Sequence, residues 1–370
     1  MGLCHPPELP MTDVSAPLRV ALIGYGFAGK TFHAPLIRSV PGLALGTVVS
    51  RDAGKVHADL PDVDVVAHAS EVFADPKLDV VVIASPNDTH APLARAALEA
   101  GKHVVVDKPF ALDLAQAREL AAVAAKQERM LSVFQNRRWD SDFLGVRQLM
   151  SLGSLGQVTH FESHIDRFRP QVRARWREQS GAGSGLWYDL GPHLVDQALC
   201  LFGLPDRVWA SLATQRESGE VTDWAHVVLE YGARRVILHA GMLVSGGSAR
   251  FTVHGTQASL VKRNIDQQEA QLIAGTRPGD ADWGVDPDEF VLYDGSGQVT
   301  HLTAPRGDQS RYYAAFRDAV LGRGANPVTP QQAITVMAVI DAAITSAADG
   351  RAVSLALDAD ERLAWQSASN

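Results

Sequence analysis

The residues best suited to chemistry in this chain are a lysine, an aspartate and a histidine. Lys108 lies in Asp107-Lys108-Pro109-Phe110, and the other two lie in Trp187-Tyr188-Asp189-Leu190-Gly191-Pro192-His193. An ammonium can steady negative charge on an oxygen, and an imidazole beside a carboxylate can take or return a proton, which together suit general acid–base chemistry at an oxygen atom. Proline after Lys108 restricts the backbone and so the direction of the ammonium. With a helix beginning near Leu190, Asp189 and His193 are four apart and share one side, with Gln197 one turn on, while Leu190, Leu194, Ala198 and Leu201 occupy another. The same spacing equally fits an N-cap aspartate ahead of an ordinary helix-start histidine.

The elements that must position these groups start with a strand-like run, Leu18 to Ile23, that ends in Gly24-Tyr25-Gly26-Phe27-Ala28-Gly29 and opens into a helix-like stretch. In that setting the three glycines form a dinucleotide-binding loop: Gly24 for the tight turn, Gly26 for backbone approach to a pyrophosphate, Gly29 for close helix packing. Short apolar strands at 19–23, 44–49, 65–67, 80–84, 103–106 and 130–134 alternate with helical patterns, two of them at 90–100 and 113–128. This predicts an N-terminal doubly wound parallel sheet over residues 18–136. Ser85-Pro86-Asn87-Asp88-Thr89-His90 follows the fourth strand and Lys108 the fifth, both at the carboxyl edge where such sheets bind ligands. After Gly153-Ser154-Leu155-Gly156, strand-like runs at 157–166, 208–214, 225–231, 235–243 and 251–253 lack regular intervening helices. With a hairpin turning at Asp294-Gly295-Ser296-Gly297, they predict a second, mostly antiparallel sheet within residues 137–370, followed by helices at 312–321 and 330–348.

An NAD site usually carries an acidic residue at the end of the second strand; here the order is Val49-Ser50-Arg51-Asp52. A hydroxyl and a guanidinium suit a 2′-phosphate, so NADP is expected, with NAD possible through Asp52 if the strand end shifts by one. The 370 residues exceed one typical core, and 46% apolar with 21% charged residues is ordinary for a globular enzyme. A net charge of -8 offers no field to attract nucleic acid or an anionic membrane. The two cysteines, Cys4 and Cys200, supply neither a disulfide framework nor a metal cluster; no metal is expected, and Cys200 reads as a small buried hydrophobe. Residues 1–17 read as a disordered tail without a secretory pattern, with Met11 as a second possible start. No run approaches about 18 consecutive apolar residues, and a cytoplasmic location is expected.

With these motifs in order, the chain resembles the glucose-fructose oxidoreductase / inositol dehydrogenase / MocA (Gfo/Idh/MocA) family from Leu18 to about Leu355. The resemblance rests on the glycine loop, Ser85 to His90, Asp107-Lys108-Pro109, where the family more often has Glu-Lys-Pro, and the Asp189–His193 helix. The stretches Gln135-Asn136-Arg137-Arg138-Trp139-Asp140 and Arg167-Phe168-Arg169-Pro170 through Arg175-Trp176-Arg177-Glu178 are similar to the branch containing NADP-dependent scyllo-inositol dehydrogenases. It implies a Rossmann domain, an α/β domain with an open sheet supporting a homodimer or homotetramer, and a cyclic polyol, inositol or sugar as substrate. Lys108, Asp189 and His193 match the family's catalytic residues, and Gly24 to Gly29, Ser85 to Asn87, His90, Asp107 to Pro109 and Asn136 its cofactor side. Arg167, Trp176 and Tyr188 are candidate substrate contacts, although a run of arginines also fits a solvated loop. Transient oxidation during glycoside cleavage, or a non-catalytic nucleotide sensor, remain open on the same fold.

Overall fold

A computed structural model describes residues 16–368, so most of the expected tail, with Cys4 and Met11, lies outside the described residues. Six strands, β1 (Leu18–Ile23), β2 (Leu43–Val49), β3 (Asp64–Val66), β4 (Val80–Ile83), β5 (His103–Val106) and β6 (Leu131–Val133), form a parallel sheet in the order β3-β2-β1-β4-β5-β6. All four residues of β4 are buried. Near-continuous runs of valine and isoleucine are what a sheet covered by helices on both faces requires. The strand order reverses between β1 and β4, and the crevice at their carboxyl ends is the ligand position of such sheets.

Eight further strands are β7 (Val158–His164), β8 (Arg207–Ala213), β9 (Trp224–Tyr231), β10 (Arg234–Gly241), β11 (Phe251–Gly255), β12 (Ala258–Lys262), β13 (Phe290–Asp294) and β14 (Val299–Leu302). They build a second sheet in the order β14-β13-β12-β11-β7-β10-β9-β8. Every neighbouring pair is antiparallel except β7 with β10. Burial alternates along β9 and β10, so one face is packed by the Leu186–Phe202 and Pro330–Asp349 helices and the other is half-buried. The predicted α/β class and both sheets are present. β12 and the Ser141–Ser151 helix are additions that carry no strong periodic signal.

Pro330–Asp349 joins the two halves by packing on the Leu114–Lys126 and Leu186–Phe202 helices and on β8. A Thr329–Gln332 capping box starts it and left-handed Gly350 stops it. Among the described residues it is the one helix long and apolar enough to cross a membrane, with mean hydropathy 1.2, and 61% of that window is buried in the fold, as a core helix requires. Leu186–Phe202 begins four residues before the expected start, after Gly185 at φ +91°. Cys200 near its end is exposed rather than buried, because the helix emerges from the core there while Leu199 still packs inward.

Candidate active site

The glycine loop has the geometry its spacing implies. Gly24 sits at φ +99°, and a Cβ there would stand 2.8 Å from the Ala84 carbonyl oxygen. A Cβ on Gly29 would meet the Gly24 carbonyl oxygen at 2.1 Å, so the helix can approach the strand only as glycine. A Cβ on Gly26 would meet nothing within 4 Å, which leaves that stretch of backbone open to a ligand. Beside it, Phe27 is exposed, while the Tyr25 hydroxyl donates to Asp59 at 3.2 Å; burial and that carboxylate push the phenol up to about 12. The helix opens with a π turn over Gly29–His33, which local periodicity does not signal. His33 is fully buried on it, with Nδ1 2.5 Å from the Tyr313 hydroxyl and Nε2 3.7 Å from Asp107 Oδ2.

β2 ends at Val49, as expected. The Asp52 N–H donates to the Ser50 hydroxyl at 3.1 Å, and Arg51 projects into solvent without a carboxylate partner among the described residues. Asp52 accepts from the Lys55 N–H at 2.9 Å as the cap of the Ala53–His57 helix. In the loop after β4 the side chains make contacts of their own. Asn87 donates its amide to the Gly183 carbonyl at 2.8 Å, and His90 Nδ1 and Nε2 lie 2.8 Å and 3.0 Å from the carbonyls of Pro109 and Ser85. These side chains, expected on the cofactor, fasten three loops to one another, because buried polar groups take the nearest backbone partners. Ser85 pairs with Thr89 at 2.6 Å, and Pro86 is exposed.

The Lys108–Pro109 peptide bond is cis. Lys108 Nζ reaches 81 residues along the chain to donate to Asp189 twice, at 2.6 Å to its carbonyl and 3.0 Å to Oδ1, and Arg177 Nε lies 3.6 Å from the same Oδ1. Burial raises the Asp189 pKa, but Lys108, Arg177 and Arg167 outweigh it and hold the carboxyl far below its ordinary range. Asp189 therefore pairs with Lys108 and not with His193, although the two share a helix side. His193 Nδ1 is buried without a hydrogen-bond partner, leaving Nε2 as the ring nitrogen open to the cleft. Burial first, and then Lys108, Arg137, Arg250 and Arg167, keep this imidazole neutral well below its ordinary pKa. Asp107, held to about 2 by His33, Lys108 and His90 against its burial, accepts from the Lys108 N–H at 2.8 Å.

Lys108, Asp189 and His193 line one cleft of about 350 Å³, together with Phe27, Ala28, Asp107 and Asn136 from the nucleotide side and Arg167 from the second sheet. The guanidiniums of Arg167, Arg169 and Arg173 on its wall have no ion-pair partner among the described residues, while the Arg173 backbone N–H donates to Glu178 at 3.0 Å and Arg175 is taken by Glu178 at 2.7 Å. Two expected substrate contacts lie elsewhere. Tyr188 donates to the Leu112 carbonyl at 3.0 Å, and the half-buried Trp176 ring stacks on the Arg177 guanidinium at 4.4 Å, so it backs a cleft cation instead of facing the cleft. Gln197, predicted below His193, is buried and ties the Arg137 carbonyl at 2.9 Å to Arg250 at 2.6 Å. Sequence reasoning misses the ion pairs under the floor, Arg138 with Asp196 at 2.7 Å and Arg250 with Asp142 at 3.0 Å, since the partners are far apart in the chain.

A Rossmann sheet with a glycine loop, opening onto a lysine–aspartate–histidine cleft shared with a mixed second sheet, defines an NAD(P)-dependent oxidoreductase. The chain belongs to the Gfo/Idh/MocA family: residues 18–135 match the model for the oxidoreductase family NAD-binding Rossmann fold, and residues 147–355 that for its C-terminal alpha/beta domain. It is 56% identical over 334 residues to the uncharacterized oxidoreductase YdgJ of Escherichia coli (strain K12), covering 89% of this chain and 96% of that one. It is 36% identical over 343 residues to scyllo-inositol 2-dehydrogenase (NADP(+)) IolW of Bacillus subtilis (strain 168), covering 91% and 96%. The crystal structure of an oxidoreductase from Klebsiella pneumoniae superposes with a TM-score of 0.91 at 57% identity, covering 96% of this chain and all of that one.

Proposed function

We propose that this oxidoreductase transfers hydride between NADP and a secondary alcohol of a cyclic polyol, inositol or sugar. The observation that carries the reading is the convergence of Lys108, Asp189 and His193 on the cleft that the open backbone at Gly26 adjoins. Gly24 to Gly29 would hold the pyrophosphate and Ser50 with Arg51 a 2′-phosphate; Asp52 serves as a helix cap, which supports NADP over NAD. A bound nicotinamide supplies the hydride acceptor. His193, neutral at physiological pH, removes the hydroxyl proton through Nε2. Lys108, aimed by Asp189, donates to the substrate oxygen and stabilises the charge that develops on it. The Bacillus subtilis relative is a scyllo-inositol 2-dehydrogenase (NADP(+)), which supports an inositol as the first substrate to try.

The unpaired guanidiniums of Arg167, Arg169 and Arg173 favour a second reading of the substrate, a sugar bearing a carboxylate or phosphate. Following NADPH absorbance with scyllo-inositol, myo-inositol, aldoses, a sugar acid and a sugar phosphate, each with NAD and NADP, tests both. NADP-linked oxidation of a neutral polyol is the expected result. Preference for the anionic sugars selects the second reading, and no turnover with any of them despite tight NADP binding overturns both. The half-buried outer face of the second sheet supports a homodimer or homotetramer.

A further inference from the structure

The outer face of the second sheet carries a group of side chains that the proposed reaction does not use. Parallel pairing sets His164 on β7 beside His239 on β10, and antiparallel pairing sets His239 beside His226 on β9, so three imidazoles lie in one row. Asp166, two residues after His164, is carried to the same face by the two-residue period of extended chain. Ring nitrogens of His164 and His239 and a carboxylate oxygen of Asp166 all lie within 4.8 Å of one another. The individual separations are 3.5 Å from His164 Nδ1 to Asp166 Oδ2 and 3.6 Å from His239 Nε2 to Asp166 Oδ1.

Those contacts are too long for hydrogen bonds, and the burial makes that costly. The Asp166 side chain is only 3% exposed, yet neither carboxylate oxygen, nor His164 Nδ1 facing them, has a hydrogen-bond partner of good geometry, with the Ser248 side chain as a further polar neighbour. We infer that His164 Nδ1, Asp166 and His239 Nε2 form a binding site for a divalent transition-metal ion of the zinc class. A tetrahedral site with bonds of about 2.0–2.1 Å places its ligand atoms about 3.3 Å apart; the separations here run to the two different carboxylate oxygens, so Asp166 turns to offer one of them to an ion shared by both imidazoles, all three ligand atoms already lying within 4.8 Å of one another. The outer contacts have the required sense. His164 Nε2 is 2.9 Å from Glu162 Oε2, which leaves Nδ1 to bind, and His239 Nδ1 is 3.4 Å from His226 Nδ1, which leaves Nε2.

Space and access are also provided. Gly241 flanks the site: a Cβ there would be in ordinary contact, at 3.5 Å, with both Asp166 Oδ1 and His239 Nε2, and tight only against Val244 Cγ2 at 3.0 Å. His164 and Asp166 line a cavity of about 560 Å³ with Ser248, through which an ion and a completing water can enter. Arg167 and Arg169 on the same wall oppose a cation, so affinity rests on the three ligands and not on the field of the cavity. Two neutral imidazoles and a carboxylate select zinc, cobalt or nickel over magnesium or calcium, which take oxygen ligands.

The test is titration of chelator-stripped full-length protein with zinc chloride by calorimetry. One equivalent per chain is expected, weakened more than about tenfold in Asp166→Asn and in His239→Ala, about 10- to 100-fold in Glu162→Gln, and unchanged in His193→Ala. No stoichiometric binding, or loss in His193→Ala with Asp166→Asn unaffected, overturns the assignment, the latter by moving the ion to the cleft. Should the Asp166 variant fail to fold, zinc-soaked crystals of the unaltered protein decide. An anomalous peak about 2.0–2.2 Å from the three ligand atoms supports the site, and its absence there refutes it.

Discussion

Replacing Lys108 by methionine removes the ammonium while keeping much of the stem's volume. In the folded protein that ammonium makes two contacts with Asp189, at 2.6 Å and 3.0 Å, with both side chains mostly buried. Stripping one member from a buried ion pair costs about 3–5 kcal/mol when the other charge is left alone. Asp189 is not left alone, because Arg177 stays at 3.6 Å; the expected loss of stability is therefore smaller, about 1–3 kcal/mol. Loss of one preorganised donor to the substrate oxygen should lower kcat by about 10²–10³-fold, or about 2.7–4 kcal/mol of barrier. A second effect separates this role from simple damage. Burial is the largest influence depressing the His193 pKa and Lys108 is the next, so removing Lys108 raises it while burial and three arginines still hold it below 6.5. His193 acts as base only when neutral, so the acid limb of the kcat/KM profile must move to higher pH in Lys108→Met. Initial rates of NADPH formation between about pH 5 and 9, with NADPH affinity read separately by fluorescence, measure both. Turnover within about threefold of the unaltered enzyme, or an acid limb that moves down, refutes the roles given to Lys108 and His193.

Arg51→Ala should weaken NADP binding by about 10- to 150-fold, the value of one charge-assisted hydrogen bond, with little change in NAD affinity; equal losses for both, read by fluorescence titration, would place Arg51 away from a 2′-phosphate. Gly26→Ala should fold with an unchanged melting temperature and lose nucleotide affinity, since its Cβ meets no protein atom, whereas Gly29→Ala should lose both because its Cβ strikes the Gly24 carbonyl. Arg250→Met leaves Asp142 buried and short of its guanidinium and should cost about 3–5 kcal/mol in denaturant unfolding; under about 1 kcal/mol would contradict the role of that pair. The folded-state pKa of His193 lies well below the ordinary 6.5, so the unfolded chain gains a proton that the folded one refuses as pH falls through 6.5. The denaturation midpoint should drop from about pH 7.5 to 5.5, and drop less in His193→Gln; an equal fall in both would exclude the histidine as the cause.

The sequence by itself determined the order of elements and the groups available for chemistry. Val80–Ile83 reads as a strand covered on both faces because its apolar run is continuous, and Gly24, Gly26 and Gly29 announce a turn that only glycine can make; both signals lie within a few residues. Four motifs in order were enough to reach the family, and the spacing of apolar runs and turns to reach both sheets. What only the tertiary structure decided depends on chain segments meeting from far apart. Asp189 and His193 share a helix side, yet the carboxylate turns to Lys108, 81 residues away, because a nearby ammonium attracts it more strongly than a neutral imidazole does. His90 and Asn87, expected on the cofactor, are spent on carbonyls of other loops, and Tyr188 and Trp176 turn out of the cleft they were expected to line. The row from His164 to His239 to His226 has no trace in local spacing, since strand register places those imidazoles side by side. Periodicity and turn chemistry are short-range and can be read along the chain; charge pairing and register are long-range and are settled only when the sheets assemble.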